Sequence, residues 1–383
     1  MKKTLAAVAV LGAFAGSALA ADVQLYGIID TGLQYLHSDA DTNKDATNSF
    51  SMESGMASGS RFGFKGTEDL GNGLTVGFVL ENGFTSDDGA EKGVFFDRES
   101  SLFLQGGFGK VAFGRMGSIN NGTSSWGKYG MISAFGTSWG DYAAQAGTWA
   151  MGAGLWDNMI SYQTPTFAGF TVYAQYGMGN KVTSLENKDK KVGDENESTS
   201  DRYYSLGATY ANGPLNLYAA VDSINYASAG VGGTADVDDS LTVTLGGNFD
   251  FEVVKLFAGA QYFDEIKLSN MKGAVQLENT DFATTKMEGW SLGVSASIPA
   301  AGGTVLVGAA YLDAEAADSV TGEAKDDELN RWIVSAGYDY PFSKRTDVYG
   351  VVTYNQDQMD SKNAANDRDP SVYGVMVGLR HKF

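Results

Sequence analysis

The segment Trp290-Ser-Leu-Gly-Val-Ser-Ala-Ser-Ile298 alternates without a break. Trp290, Leu292, Val294, Ala296 and Ile298 fall on one side of an extended chain, and Ser291, Gly293, Ser295 and Ser297 on the other. The same period of two sets Leu241, Val243 and Leu245 against Thr242, Thr244 and Gly246. It also sets Trp332, Val334, Ala336, Tyr338 and Tyr340 against Arg331, Ile333, Ser335, Gly337 and Asp339. One face of each segment is apolar and the other small or polar. Such a strand belongs in a soluble sandwich with its apolar face in a shared core, or in a membrane barrel with that face toward lipid. Periodicity does not separate the two; the connections do.

Short turns recur at 69–73, 106–109, 165–169, 212–214, 249–252, 299–303 and 341–345. Between them lie long polar stretches at 37–57, 86–96, 116–156, 178–201, 223–238, 264–286, 313–328 and 356–370. Seven turns alternating strictly with eight loops imply sixteen strands, an even number with short connections at one end and long ones at the other. The segments approach the roughly 9–11 residues that a tilted strand needs to cross a bilayer. Tyr35, Phe84, Tyr176, Tyr210, Trp290, Tyr340 and Tyr354 stand at strand ends, where interfacial aromatic girdles are expected. Backbone groups in lipid must all be paired, so the sheet is expected to close on itself. A barrel of this size leaves an aqueous channel. The fold class is therefore all-β, a 16-stranded antiparallel transmembrane β-barrel.

Composition agrees. The 383 residues contain no cysteine, so neither a disulfide framework nor thiol chemistry is available. Beyond the N-terminus no run of 18 apolar residues occurs, and no helix is expected to span a membrane. Residues 1–20 read as a secretory signal: Lys2 and Lys3, an apolar run from Leu5 to Phe14, and the small-residue site Ala18-Leu19-Ala20. The mature barrel domain then runs over 21–383. Without the signal, 25 basic side chains face 46 acidic ones, a formal charge of −21. That balance argues against nucleic acid as a partner, because phosphate binding needs a basic surface. The acids gather in loops, with seven and a single lysine between Asp313 and Glu328, where they solubilise the loops or collect divalent cations.

The 116–156 stretch stands apart. It lacks strand alternation, holds four of the six tryptophans, and carries only Lys128 and Asp141 as charged residues. A loop this long in a compact chain is functional or disordered, and its glycine and aromatic content opposes disorder. It is expected to fold inward as a third loop that narrows the channel. Enzyme chemistry has little to draw on: His37 and His381 are the only histidines, and no phosphate-binding glycine loop stands between a strand and a helix. No cofactor and no metal site are expected.

Several stretches in order along the chain resemble the trimeric general porins of the Gram-negative outer membrane, in particular the neisserial and β-proteobacterial type. They are 22–30 as the first strand, 60–74 around the first turn, 106–115, 158–170, and the terminus Gly378-Leu-Arg-His-Lys-Phe383. The resemblance implies a homotrimer among outer-membrane lipids and lipopolysaccharide that passes small hydrophilic solutes and ions by passive diffusion. It also implies that Phe383, ending a strand with Tyr373, Val375, Val377 and Leu379 on one face, is the signal for the barrel-assembly machinery. By the same resemblance the third loop sits at mid-height, its acids facing wall arginines at Arg61 and Arg98. A third basic position, before Asn158, is occupied by Leu155 and Trp156, which weakens the expectation of anion preference. Arg115 joins the pore-constriction candidates only if its strand bends at Gly114; by parity with Val111 and Phe113 it turns outward. Lys128 and Asp141 complete the set. The alternative function is a channel with a saturable solute site, for which Trp126, Trp139, Trp149 and Trp156 would form a stacking surface.

Overall fold

A computed structural model describes residues 22–41, 45–136, 145–150, 154–181, 200–227, 238–267, 286–361 and 367–383. The chain opens with β1 (Gln24–Asp39), β2 (Thr47–Ser54), β3 (Arg61–Gly71), β4 (Leu74–Gly83), β5 (Glu99–Gly106) and β6 (Gly109–Gly117). It continues with β7 (Leu155–Gln163), β8 (Phe170–Lys181), β9 (Ser200–Asn212), β10 (Leu215–Asn225), β11 (Leu241–Asp250) and β12 (Lys255–Lys267). The last five are β13 (Lys286–Ala300), β14 (Gly303–Ala316), β15 (Glu328–Pro341), β16 (Thr346–Asp360) and β17 (Ser371–Lys382).

From β3 to β17 each strand pairs antiparallel with the next, and β17 returns to β1 over twelve residue pairs, from Ile28–Lys382 to Asp39–Ser371. The free edge of β1 takes both β2 and β3: Thr31 faces Ser54, and Ile28 faces Arg61. These two are halves of one stave interrupted at 55–60, so seventeen strands make a closed 16-stranded antiparallel barrel. The interruption has a chemical cause. Gly55 takes a positive φ of 76°, and Asp30 Oδ2 receives the N–H groups of Ala57 at 3.0 Å and Ser58 at 2.6 Å. Those backbone donors leave the ladder without losing a partner.

The apolar rows point outward. Trp290, Leu292 and Val294 are 41, 50 and 60% exposed, whereas Ser291 and Ser295 are buried. On β15 Trp332 and Val334 lie outside, Arg331, Ile333 and Ser335 inside. A soluble sandwich would have the opposite arrangement, so the outer wall is a lipid-facing surface. Aromatic pairs ring both ends. Trp290–Tyr311 and Trp332–Tyr354 sit toward the long loops, and Phe249–Phe251 and Tyr340–Phe342 toward the short turns. The first short turn shows why these connections are tight: Asn72 and Gly73 both have positive φ, 52° and 75°, as a two-residue hairpin turn requires.

Candidate functional site

The connection between β6 and β7 runs along the barrel wall on the side opposite the exposed apolar rows. Ile119 N–H donates to Gln175 of β8, Asn120 Nδ2 to Asp222 of β10 and Thr244 of β11, and Ala134 N–H to Ser295 of β13. Further on, Ala150 N–H donates to Gln261 of β12, and the Gly147 carbonyl accepts from Arg331 of β15. The segments 118–136 and 145–150 therefore lie inside the barrel, following its wall from β8 to β15. Their apolar side chains supply the adhesion. Ile119, Trp126, Tyr129, Ile132, Phe135 and Trp149 are all at most 2% exposed and pack with Tyr173, Tyr203, Tyr218 and Leu306. Burial of side chains this size contributes roughly 1.5–3 kcal/mol each.

The wall is cut away where they land. An added Cβ at Gly246 would stand 2.7 Å from Ile132 Cγ2, and one at Gly259 2.9 Å from Trp149. Gly207 lies under Ile119, and Gly308 under Phe135. This row of inward glycines on β9, β11, β12 and β14 gives the loop its seat. At its far end Arg331 and Asp357, both fully buried, form a two-armed pair of 2.6 Å bonds below Gly147.

The arc of wall not covered by these segments carries charge. Glu81 on β4 receives Arg98 Nε at 2.7 Å and lies 3.4 Å from Arg61 Nε; Tyr26 donates to its other oxygen at 3.0 Å. Around the barrel closure Arg380 reaches Asp347 and Asp339 at 3.0 Å each, and Ser58 Oγ at 3.0 Å. Three guanidinium groups and three carboxylates thus line the lumen across β15–β17, β1, β3, β4 and the residue preceding β5, with the Asp30–Tyr349 hydrogen bond of 2.6 Å between the two sets.

Of the residues singled out in the sequence, Arg61 and Arg98 come together on the lumen side through a shared carboxylate. Arg115 does not join them. The β6–β7 register shifts between Gly114 and Met116, Gly114 takes φ 129°, and Arg115 bonds the Asp97 carbonyl and the Asp157 carboxylate, each at 2.6 Å. Lys128 lies against Tyr173 of β8, its Nζ 5.2 Å from the ring centroid, away from the charged arc. Burial, and then the neighbouring ammonium of Lys110, hold its pKa below the ordinary lysine value. Asp141 and Trp139 lie outside the described residues. Trp126, Trp149 and Trp156 are at most 4% exposed, packed between loop and wall, and offer no open stacking surface. Sequence reasoning missed Glu81 and Arg380. Both sit at inward positions of their strands, and tracing the lumen face of every strand would have exposed them.

A model of the Gram-negative porin family matches residues 6–364. The fold and the charged lumen define a channel protein of the outer membrane, and the chain belongs to the Gram-negative porin family. It is 35% identical to an outer membrane porin protein of Bordetella pertussis, over the whole of both chains. It is 31% identical to outer membrane porin protein 32 of Delftia acidovorans, again over both whole chains. Among solved structures it matches the anion-selective porin from Comamonas acidovorans with a TM-score of 0.66 and 28% identity, covering 95% of this chain and 100% of that one. The protein is an outer-membrane porin, a water-filled channel for passive diffusion of ions and small hydrophilic solutes.

Proposed function

We propose that the narrowest part of the channel lies between the 116–156 loop and the arc carrying Arg61, Glu81, Arg98 and Arg380, and that it sorts solutes by size and dipole more than by net charge. The observation behind this is the pairing on the arc: each of these guanidiniums already has a carboxylate within 2.7–3.4 Å. The relative from Comamonas is described as anion-selective. Here the paired charges leave a wall of alternating sign, and Asp141 on the loop is assigned to the opposite side of the gap. Such an arrangement sets up a transverse field. The Debye length at physiological salt is about 8 Å, so the field persists across a gap of similar width.

Removing both Arg61 and Arg98 leaves Glu81 uncompensated. A unit charge about 8 Å from a permeating ion is worth roughly 0.5–2 kcal/mol for an effective dielectric between about 80 and 20. The double change Arg61→Ser with Arg98→Ser is expected to shift the cation-to-anion permeability ratio toward cations by about twofold or more, and Asp141→Asn to shift it toward anions. Reversal potentials across a potassium chloride gradient, at low and near-molar salt, read both. An unchanged ratio in both variants at both strengths rejects this placement of the constriction. The same reading assigns Met1–Ala20, outside the described residues, to a cleaved export signal and Phe383 to recognition by the assembly machinery. The mature chain forms a homotrimer in contact with lipopolysaccharide. The outward rows at Leu25, Ile29 and Phe113, 43–57% exposed, are the wall assigned to the subunit contact.

A further inference from the structure

Every described arginine of the lumen arc has a carboxylate, but three lysines of the same interior do not. Lys65 on β3, Lys110 on β6 and Lys128 on the loop meet no carboxylate within salt-bridge distance and no hydrogen-bond acceptor among the described residues. Their ammonium groups rest on aromatic faces instead. Lys65 lies 5.1 Å from the Tyr26 ring, Lys110 4.1 Å from Phe103 and 4.9 Å from Trp126, and Lys128 5.2 Å from Tyr173. An ammonium carries three N–H donors, and an aromatic face satisfies its charge only in part. Glu99, whose field reaches Lys110, is occupied already: Ser125 N–H at 2.8 Å, Ser125 Oγ at 2.9 Å and Ser101 Oγ at 2.7 Å all donate to it.

Lys65 and Lys110 line one cavity of ≈ 360 Å³ on the lumen side, between the level of Glu81 and the short turns. Gln24, Thr67 and Ser125 add polar groups to its wall, and Asp22 stands at its exposed rim, hydrogen-bonded to Gln24. Lys128 is close enough for the charge of Lys110 to depress its pKa. The cavity thus holds two ammonium groups without a carboxylate partner, with Asp22 alone at its rim, in a chain whose overall charge is strongly negative. A volume in the range of small-molecule sites accommodates a tetrahedral oxyanion together with a small organic substituent.

We infer that Lys65 and Lys110 form a saturable site for a phosphate-type oxyanion on the short-turn side of the constriction. The acceptor oxygens of such an anion meet donors that have no partner in the protein, and charge-assisted bonds of this kind are roughly twice as strong as neutral ones. This inference rests on the channel reading, and the test keeps the two apart. Purified full-length protein in planar bilayers is bathed in potassium chloride, and inorganic phosphate or glycerol 3-phosphate is added at constant ionic strength. The expected result is a saturable fall in chloride current with at least one of the two. Block by inorganic phosphate alone identifies a site for the free ion; block by both identifies a phosphoryl site that tolerates a substituent. In Lys110→Met and in Lys65→Gln the half-blocking concentration is expected to rise about tenfold. Lys65 is exposed, so its variant tests the site even if the variant at the half-buried Lys110 fails to fold. A current that falls linearly without saturation, or a half-blocking concentration that neither variant moves, overturns the site. Absence of any conductance in potassium chloride would instead overturn the channel itself.

Discussion

Arg331 and Asp357 show how single residues hold the loop. Both are fully buried, their bonds are two parallel 2.6 Å contacts, and Nη1 of the same guanidinium donates to the Gly147 carbonyl at 2.9 Å. Removing one partner of a buried pair leaves an uncompensated charge and costs roughly 3–5 kcal/mol, whereas replacing both by apolar groups of similar volume is often neutral. Arg331→Met is therefore expected to lower the unfolding temperature of the barrel sharply, and Arg331→Met with Asp357→Leu to recover most of the loss. Heat-dependent mobility on denaturing gels follows both. An equal loss in single and double variants would show that the pair acts through something other than its charges. At this scale the sequence was only partly legible. Arg61 and Arg98 were found, but their shared carboxylate Glu81 was not, because one glutamate among 46 acidic side chains carries no local signature. Arg115 was uncertain for a definable reason: its direction depends on the bulge at Gly114, which only the pairing with β7 reveals.

Among the elements, the loop and its glycine seat form one mechanical unit. Gly246 and Gly259 allow Ile132 and Trp149 to approach the wall to distances no larger residue permits. Gly259→Leu puts a side chain where the Trp149 ring lies, and overpacking of this kind costs about 1–3 kcal/mol. The barrel ladder is the stronger structure, so the loop is expected to yield first. The predicted outcome is a larger single-channel conductance with the barrel still folded; an unchanged conductance in a folded variant would separate the loop from the narrowing of the channel. The bounds of the connection were legible to within two residues at each end, since β6 ends at Gly117 and β7 begins at Leu155. Other bounds were not. The expected first loop, 37–57, contains the end of β1 and all of β2. Within β2 only Phe50 and Met52, 71 and 55% exposed, alternate with Ser49, Ser51 and Glu53, and two apolar residues in eight give a signal too short to stand out from the polar stretch around it. The break at 55–60 was equally hidden, since its cause, Asp30, lies 27 residues before Ala57.

For the whole molecule, closure is the governing event. β17 pairs with β1, and Phe383 and Gly27 exchange both backbone hydrogen bonds at 3.1 Å, with the terminal ring over Gly27. Deleting Phe383 removes this last pair, and the amount of heat-resistant barrel in the outer membrane is expected to fall severalfold; undiminished barrel would contradict the role assigned to it. The strand count was legible because connections alternate short and long, a property of the whole chain rather than of any one segment. On the proposed reading the pore is open and aqueous, narrowed but not sealed by the loop. Single-channel recording of the purified protein in a planar bilayer tests it most directly. The expected result is stepwise, ohmic conductance that scales with the conductivity of the bathing salt and is lost to small polyethylene glycols but not to large ones. Absence of steps, or a conductance that does not follow bulk conductivity, would contradict it.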